Sequence, residues 1–336
     1  MSATPRISIL MPVRNEERYL QAALDSLYRQ TLADWELVVV DDGSLDATPG
    51  ILARAARSDA RVRVIRCSGA GLVAALNEGL RACRAPLLAR MDGDDICHPR
   101  RLALQAAYLE AHPGTGLVAC GFRHFPRASL KRGMLAYEQW QNSLGDHDQI
   151  IRDLYVESPF VHPGILTRRE VVVGLGGYRD CGWPEDYDLW LRMAAAGIQF
   201  ARLTAVLLFW RDHPERATRT MDEYAALAMR RCKLHHLRCG FLKGVTELVI
   251  AGAGLEARAW QRLLLAEGVA VSAWLDIDPR KIGRTLHGAP VLRPEDLELG
   301  GSKMITAIGL RGAREQFRLN AAKLGWQEGV DFVSVA

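Results

Sequence analysis

The chain has 336 residues, 49% of them hydrophobic and 24% charged, with a formal net charge of +4. That balance is ordinary for globular protein, so it argues against a disordered chain, and the mild charge argues against a nucleic-acid binder. No apolar run reaches the roughly 18 residues needed to span a bilayer, and the seven cysteines are scattered without zinc or redox spacing.

In chain order, residues 7–11 are an apolar run expected to form a buried strand, followed by Pro12-Val13-Arg14-Asn15-Glu16 and a helical pattern over 17–29. A second strand, 36–40, ends in Asp41-Asp42-Gly43-Ser44-Leu45-Asp46. A helix over 48–57, a strand over 62–66, a helix over 72–83 and a strand over 87–91 continue the alternation. Such βαβα units imply a doubly wound, mostly parallel sheet of the α/β class, with ligands beyond the carboxyl ends of the strands. Arg14, Asp41, Asp42 and the run Asp92-Gly93-Asp94-Asp95 then share one rim. Each loop alone reads equally well as a capping turn, since Asp and Ser are favoured there. Three carboxylates crowded after one strand raise one another's pKa unless a positive charge sits among them, and a hard divalent cation, Mg2+ or Mn2+, supplies it.

Further on, Gly182-Trp183-Pro184-Glu185-Asp186-Tyr187-Asp188-Leu189-Trp190 reads as a helix start with Glu185 and Asp186 in the first turn. Acids there are favoured by the helix dipole, a sufficient structural explanation. Residues 126–157 carry no motif, and a long helical pattern covers 221–237. Arg230, Arg231, Lys233, Arg238 and Lys243 cluster without an acid, as a solvated helix face or as a peripheral contact with an anionic membrane surface. The whole reads as a cytoplasmic protein, peripheral at the inner face of the membrane if that contact is made.

Taken together, Ile7-Ser8-Ile9-Leu10-Met11-Pro12-Val13-Arg14-Asn15-Glu16, Val38-Val39-Val40-Asp41-Asp42-Gly43-Ser44, Ala89-Arg90-Met91-Asp92-Gly93-Asp94-Asp95, His162-Pro163 and Glu185-Asp186-Tyr187-Asp188-Leu189-Trp190 resemble the inverting family 2 glycosyltransferases with the type A fold. The resemblance implies a metal-dependent transfer of a sugar, hexosyl or N-acetylhexosaminyl, from a nucleotide sugar to a glycan or lipid-linked hydroxyl acceptor in polysaccharide or envelope synthesis. It implies donor contacts at Pro12, Arg14, Glu16, Asp41, Asp42, Arg90 and Asp92, with Asp42 accepting from uracil of a UDP-sugar. Arg14 departs from the aromatic residue many members carry there. The resemblance further implies metal ligation by Asp92, Asp94 and Asp95 with His213, a general base at Asp186 beside Glu185, and an acceptor side lined by His162 and Trp183. A nucleotidyltransferase and a non-catalytic sugar-nucleotide-binding module are the alternatives. The first favours a basic glycine-rich loop near the N-terminus, and the second should have lost an acid from one centre; the sequence shows neither.

A composition shift near 240–244 sets expected domains at 1–240 and 241–336. In the second, Val249-Ile250-Ala251-Gly252-Ala253-Gly254-Leu255 is a strand, glycine turn and helix start, and a second strand ends at Asp276, the spacing of a Rossmann-like fingerprint. The segment resembles the small Rossmann-like domains that precede sugar acetyltransferases. A ligand loop at Gly252, Gly254 and Asp276 that binds a sugar nucleotide, an acceptor or NAD, and a structural role that includes homodimer formation, both stay open.

Overall fold

The computed structural model describes residues 4–310 and 312–336. They form two compact units, the first comprising residues up to 150 with 159–221, the second 151–158 with 222–336.

In the first unit, β1 (Ile7–Val13), β2 (Trp35–Asp42), β3 (Val62–Cys67) and β4 (Leu87–Arg90) are parallel and joined by helices Leu20–Tyr28, Thr48–Ser58 and Leu72–Ala82. Every residue of β1 and β2 is buried, as in a sheet covered by helices on both faces. The helix Leu72–Ala82 approaches closely through Gly79, where a Cβ would meet Leu10 Cδ1 at 2.2 Å. The expected helix over 17–29 starts only at Leu20, because the Glu16 carbonyl first accepts the Tyr19 and Leu20 N–H groups in a turn.

The sheet continues through β5 (Ile96–Cys97), β6 (Thr115–Phe125), β7 (Ile165–Arg168) and β8 (Gln199–Arg211), in the order β3-β2-β1-β4-β7-β6-β8-β5. β7 runs antiparallel to both β4 and β6. The parallel pair β6 and β8 slips register at Gly121, where a Cβ would come within 2.9 Å of the Ala205 carbonyl oxygen, so a side chain there would clash with the irregular strand. Residues 126–150, without motif in sequence, include the helix Arg132–Ser143. Its Glu138 accepts from the His124 backbone N–H (2.7 Å) and from Arg127 (2.7 Å).

The second unit holds β9 (Glu247–Ala251), β10 (Ala270–Leu275), β11 (Thr285–Leu286), β12 (Ala289–Leu292), β13 (Lys303–Thr306) and β14 (Phe332–Ser334), in the order β11-β12-β10-β9-β13-β14. Only the short β11 is antiparallel. Trp260 and Trp274 fill its core. The unit begins at Asp222, ahead of the composition shift, because Leu234 and Leu237 of the helix Ala226–Cys239 pack into that core. The long helical pattern over 221–237 is therefore broken into a turn at Asp222–Tyr224 and this helix. Residues 151–158 join it too: Tyr155 packs on the core, Asp153 pairs with Arg318 at 2.6 Å, and the Val156 carbonyl accepts from Lys233 Nζ at 2.8 Å.

The basic run near 230–243 is not one solvated face. Lys233 is buried, Arg230 pairs with Glu256 at 2.6 Å, and Arg238 donates to the Val245 carbonyl at 2.5 Å, leaving Arg231 and Lys243 exposed. All seven cysteines are free thiols. Among the described residues no helix is long and apolar enough to cross a membrane.

Candidate active site

β1 and β2 end level, with Val13 opposite Asp41, while β4 stops at Arg90 opposite Leu10, so that residues 92–95 follow alongside the end of β1. After β1 the chain turns at Asn15, whose φ of 55° is tolerated by a short polar side chain. Asn15 Oδ1 accepts from the Leu45 N–H at 2.9 Å, and Ser44 Oγ accepts from the Asn15 N–H at 2.9 Å. The exits of β1 and β2 are thus clasped together. Pro12 lies inside β1 and is buried.

Asp41 and Asp42 end β2 and are buried. Asp41 accepts from the Ser44 N–H at 3.0 Å and faces Arg66 at 3.7 Å. Asp42 Oδ2 accepts from the Gly71 N–H at 3.0 Å and lies 3.9 Å from the exposed Arg14. Its other oxygen, Oδ1, is buried with no hydrogen-bond partner. A buried acceptor without a donor is costly, and it marks a position where a ligand N–H can bind.

Beyond β4 the backbone leaves the extended state at Met91 and turns at Gly93. A Cβ on Gly93 would meet Val13 Cγ1 at 2.9 Å and Glu16 Cγ at 3.3 Å, so only glycine lets the turn close on the first loop. Asp92, Asp94 and Asp95 each place an oxygen within 4.8 Å of the others. Asp95 is fully buried; Oδ1 accepts from the Arg211 N–H at 2.7 Å, and Oδ2 has no partner. Burial, then the charges of Asp94 and Asp92, push its carboxyl well above the usual range. Burial and the same two neighbours push Glu16 up to about 8. His213 Nε2 lies 2.9 Å from Asp94 Oδ2, while Nδ1 is buried and unpartnered. Four acids and an imidazole thus converge where three protein oxygens come together, a donor set that suits a hard cation.

The second acid centre opens the helix Glu185–Ala195, with Pro184 at its cap. Glu185 is buried, 3.5 Å from His162 Nδ1, and His162 Nε2 meets the Tyr178 hydroxyl at 3.0 Å. Burial, then Arg90, holds His162 below its ordinary pKa, so it is neutral at pH 7. Asp186 is half-buried and accepts from the Tyr187 N–H at 2.6 Å. Burial and the adjacent Glu185 raise its carboxyl well above the usual range, opposed by the Tyr187 N–H and Arg90. The Trp183 indole donates to Asp188 at 3.3 Å, and Asp188 is paired with Arg192 at 2.6 Å.

Arg90 joins the two centres. It is buried and pairs with Asp92 at 2.6 Å, and its charge acts on Asp186, His162 and Tyr178. Its Nε is buried without a partner.

A family model described as Glycosyl transferase family 2 matches residues 8–175. The amylovoran biosynthesis glycosyltransferase AmsE of Erwinia amylovora is 32% identical over 252 residues, covering 72% of this chain and 91% of that one. The chain belongs to glycosyl transferase family 2. This glycosyltransferase is also 30% identical, over 70% of its length and 89% of the relative's, to the O-antigen biosynthesis glycosyltransferase WbnJ of Escherichia coli. Among solved structures, S. aureus TarS 1-349 in complex with UDP-GlcNAc superposes with a TM-score of 0.53 at 17% identity, covering 78% of this chain and 71% of that one. The mannosyltransferase PcManGT from Pyrobaculum calidifontis, in complex with GDP-Man and Mn2+, gives a TM-score of 0.50 at 22% identity, covering 80% and 70%. These likenesses show the fold, the type A glycosyltransferase fold.

Sequence reasoning passed over Arg211, Tyr178 and Tyr19. Arg211 donates through Nε to the Asp94 carbonyl at 2.6 Å as well as to Asp95, and stacks on Tyr19, whose ring also lies 5.1 Å from His213. Arg211 stands on a strand whose pairing with β6 and β5 could not be read locally, so nothing in the sequence tied it to Asp94 and Asp95, whereas His213 just after it was linked to them by the resemblance. In the second unit, Gly252 has a φ of 97° and packs against the Ala307 carbonyl, and Gly254 precedes the helix Leu255–Ala266. Asp276 is spent inside this loop, accepting from the Ala253 and Asp278 N–H groups and pairing with Lys281 at 2.8 Å.

Proposed function

We propose that this glycosyltransferase moves a sugar from a uridine diphosphate sugar to a hydroxyl acceptor with inversion, in the synthesis of a surface polysaccharide or lipid-linked glycan. The observation that carries the reading is the pair of acid centres facing one buried cation, Arg90, with Asp92 on one side and Asp186 on the other. The names of the relatives, concerned with amylovoran and O-antigen synthesis, support the substrate class.

On this reading Asp42 receives the base N–H through its unpartnered Oδ1, beneath Arg14. Asp92, Asp94 and Asp95, with His213, are the residues that would hold a divalent cation, and their unpartnered Asp95 oxygen and crowded charge fit one. Bound there, the cation neutralises the departing diphosphate. Glu16, raised first by burial and then by the charges of Asp94 and Asp92, would face the same cation, which would offset the charge part of that rise. Asp186 takes the proton from the acceptor hydroxyl as it attacks; its raised pKa makes it a stronger base than an ordinary carboxylate, and Arg90 opposes part of that rise. Glu185 is turned toward His162 and holds that buried ring rather than reaching the acceptor. His162 and Trp183 border the same helix start and shape the acceptor side.

The test is Asp186→Asn. The Asn side-chain oxygen can still accept from the Tyr187 N–H but cannot take the proton, so single-turnover transfer should fall roughly 10²- to 10⁴-fold with donor affinity unchanged. Near-normal transfer removes Asp186 as the base.

A further inference from the structure

Single exposed aliphatic side chains are common on protein surfaces and need no explanation. Here the four most exposed large apolar residues among those described are Leu45 (93%), Leu255 (85%), Ile277 (78%) and Leu310 (76%), and three of the four belong to one rim of the second unit. Ala251 of β9 pairs with Leu275 of β10 on one side and Thr306 of β13 on the other, so these three neighbouring strands end level. Leu255 follows β9, Ile277 follows β10 and Leu310 follows β13, each within four residues of the strand end. Adjacent strands are about 4.8 Å apart, which brings the three loops side by side. The loops are also cross-tied, through the Gly252 N–H to the Leu275 carbonyl at 2.8 Å and the Ala307 N–H to the Ala251 carbonyl at 2.9 Å.

The charge of the same loops has one sign in excess. Among the described residues, 252–258, 276–284, 307–310 and 312–314 contain Arg258, Arg280, Lys281, Arg284 and Arg314 against Glu256, Asp276 and Asp278. Each of these acids has a cation of its own: Glu256 with Arg230, Asp276 with Lys281 and Asp278 with Arg280. Arg258 and Arg284 are exposed. Apolar tips within a basic surround match a layer that is hydrocarbon inside and anionic at its face.

We propose that this rim docks on an anionic lipid surface, inserting Leu255, Ile277 and Leu310 among the acyl chains while the surrounding cations face the headgroups. The inference stands apart from the donor and acceptor assignments. It also replaces the helical basic run as the membrane-facing element, since that run is largely consumed within the fold.

The experiment is co-sedimentation of the full chain with phosphatidylcholine vesicles, with and without phosphatidylglycerol, at low and high salt. The expected result is binding that requires phosphatidylglycerol and weakens with salt. Leu255→Ser, Ile277→Ser and Leu310→Ser should each lower partitioning roughly tenfold, the factor for withdrawing a large aliphatic group from an apolar phase, with the melting temperature and donor hydrolysis in solution unchanged. Arg258→Glu/Arg284→Glu, which leaves the apolar tips in place, should abolish binding to the phosphatidylglycerol vesicles at low salt. Absence of binding, or equal binding by the parent and the three serine variants, overturns the proposal. So does a parent chain that sediments as a dimer without vesicles and a triple serine variant that sediments as a monomer, which assigns the rim to a second copy of the chain.

Discussion

The two sheets end alike and differ in what their acids have been given. In the first unit Asp42 and Asp95 each keep a buried oxygen with no partner, and burial with crowding raises the carboxyls of Asp95 and Glu16. In the second unit Asp276 and Asp278 are each met by backbone N–H groups and a cation, and both carboxyls are lowered, Asp278 to about 2. A strand-end aspartate that its own loop has satisfied is turn chemistry, whereas one held unsatisfied among like charges is waiting for something to bind.

The difference can be broken most severely at Asp94. Asp94→Ala removes one of few protein oxygens from the cluster and leaves His213 without its partner. Transfer should be lost, and calorimetric titration of a UDP-sugar with and without Mn2+ should show the same affinity in both. Metal-dependent affinity that survives in the variant would falsify the assignment.

A smaller effect is expected on stability at Asp186. Its folded carboxyl is raised, so above the ordinary carboxylate range the native state holds more protons than the unfolded chain, and stability falls as pH rises through the folded pKa. Asp186→Asn should therefore melt higher than the parent at pH 8 and about equally at pH 4, while transfer by the parent climbs with pH over the same window. A variant that melts lower at pH 8 would mean the carboxylate is stabilising where it sits.

The smallest effect belongs to Asp278→Asn. This acid is solvent-exposed and serves its own turn, so neither transfer nor the melting temperature at pH 7 should change measurably. A clear loss of transfer would erase the contrast between the two rims.

Much of the first rim was legible because parallel strands buried on both faces read as continuous apolar runs, and the acids follow them directly: residues 36–40 into Asp41 and Asp42, residues 87–91 into Asp92. Pro184 marked the helix start at Glu185 for an equally local reason, its fixed φ. What stayed hidden depends on partners distant in sequence. The antiparallel β7, the Arg211 contacts to Asp94 and Asp95, and the chain from Tyr178 through His162 to Glu185 each join residues whose local patterns are silent. Glu16 stood in the sequence as a donor contact implied by the resemblance, and only the approach of Gly93 shows that it lies against the acid cluster.

The eight residues 151–158 carry a consequence for how the molecule is made. They lie in sequence within the catalytic unit yet belong to the other one, and Lys233 Nζ clamps them by reaching both the Val156 carbonyl at 2.8 Å and the Val335 carbonyl at 3.3 Å. A chain growing on the ribosome delivers Tyr155 long before β9 to β14 exist to bury it. The first sheet is complete in sequence at β8, while the core on which Tyr155 packs is complete only with Val335. Grafting either unit onto another protein at a single junction would therefore part Tyr155 from the core it packs on.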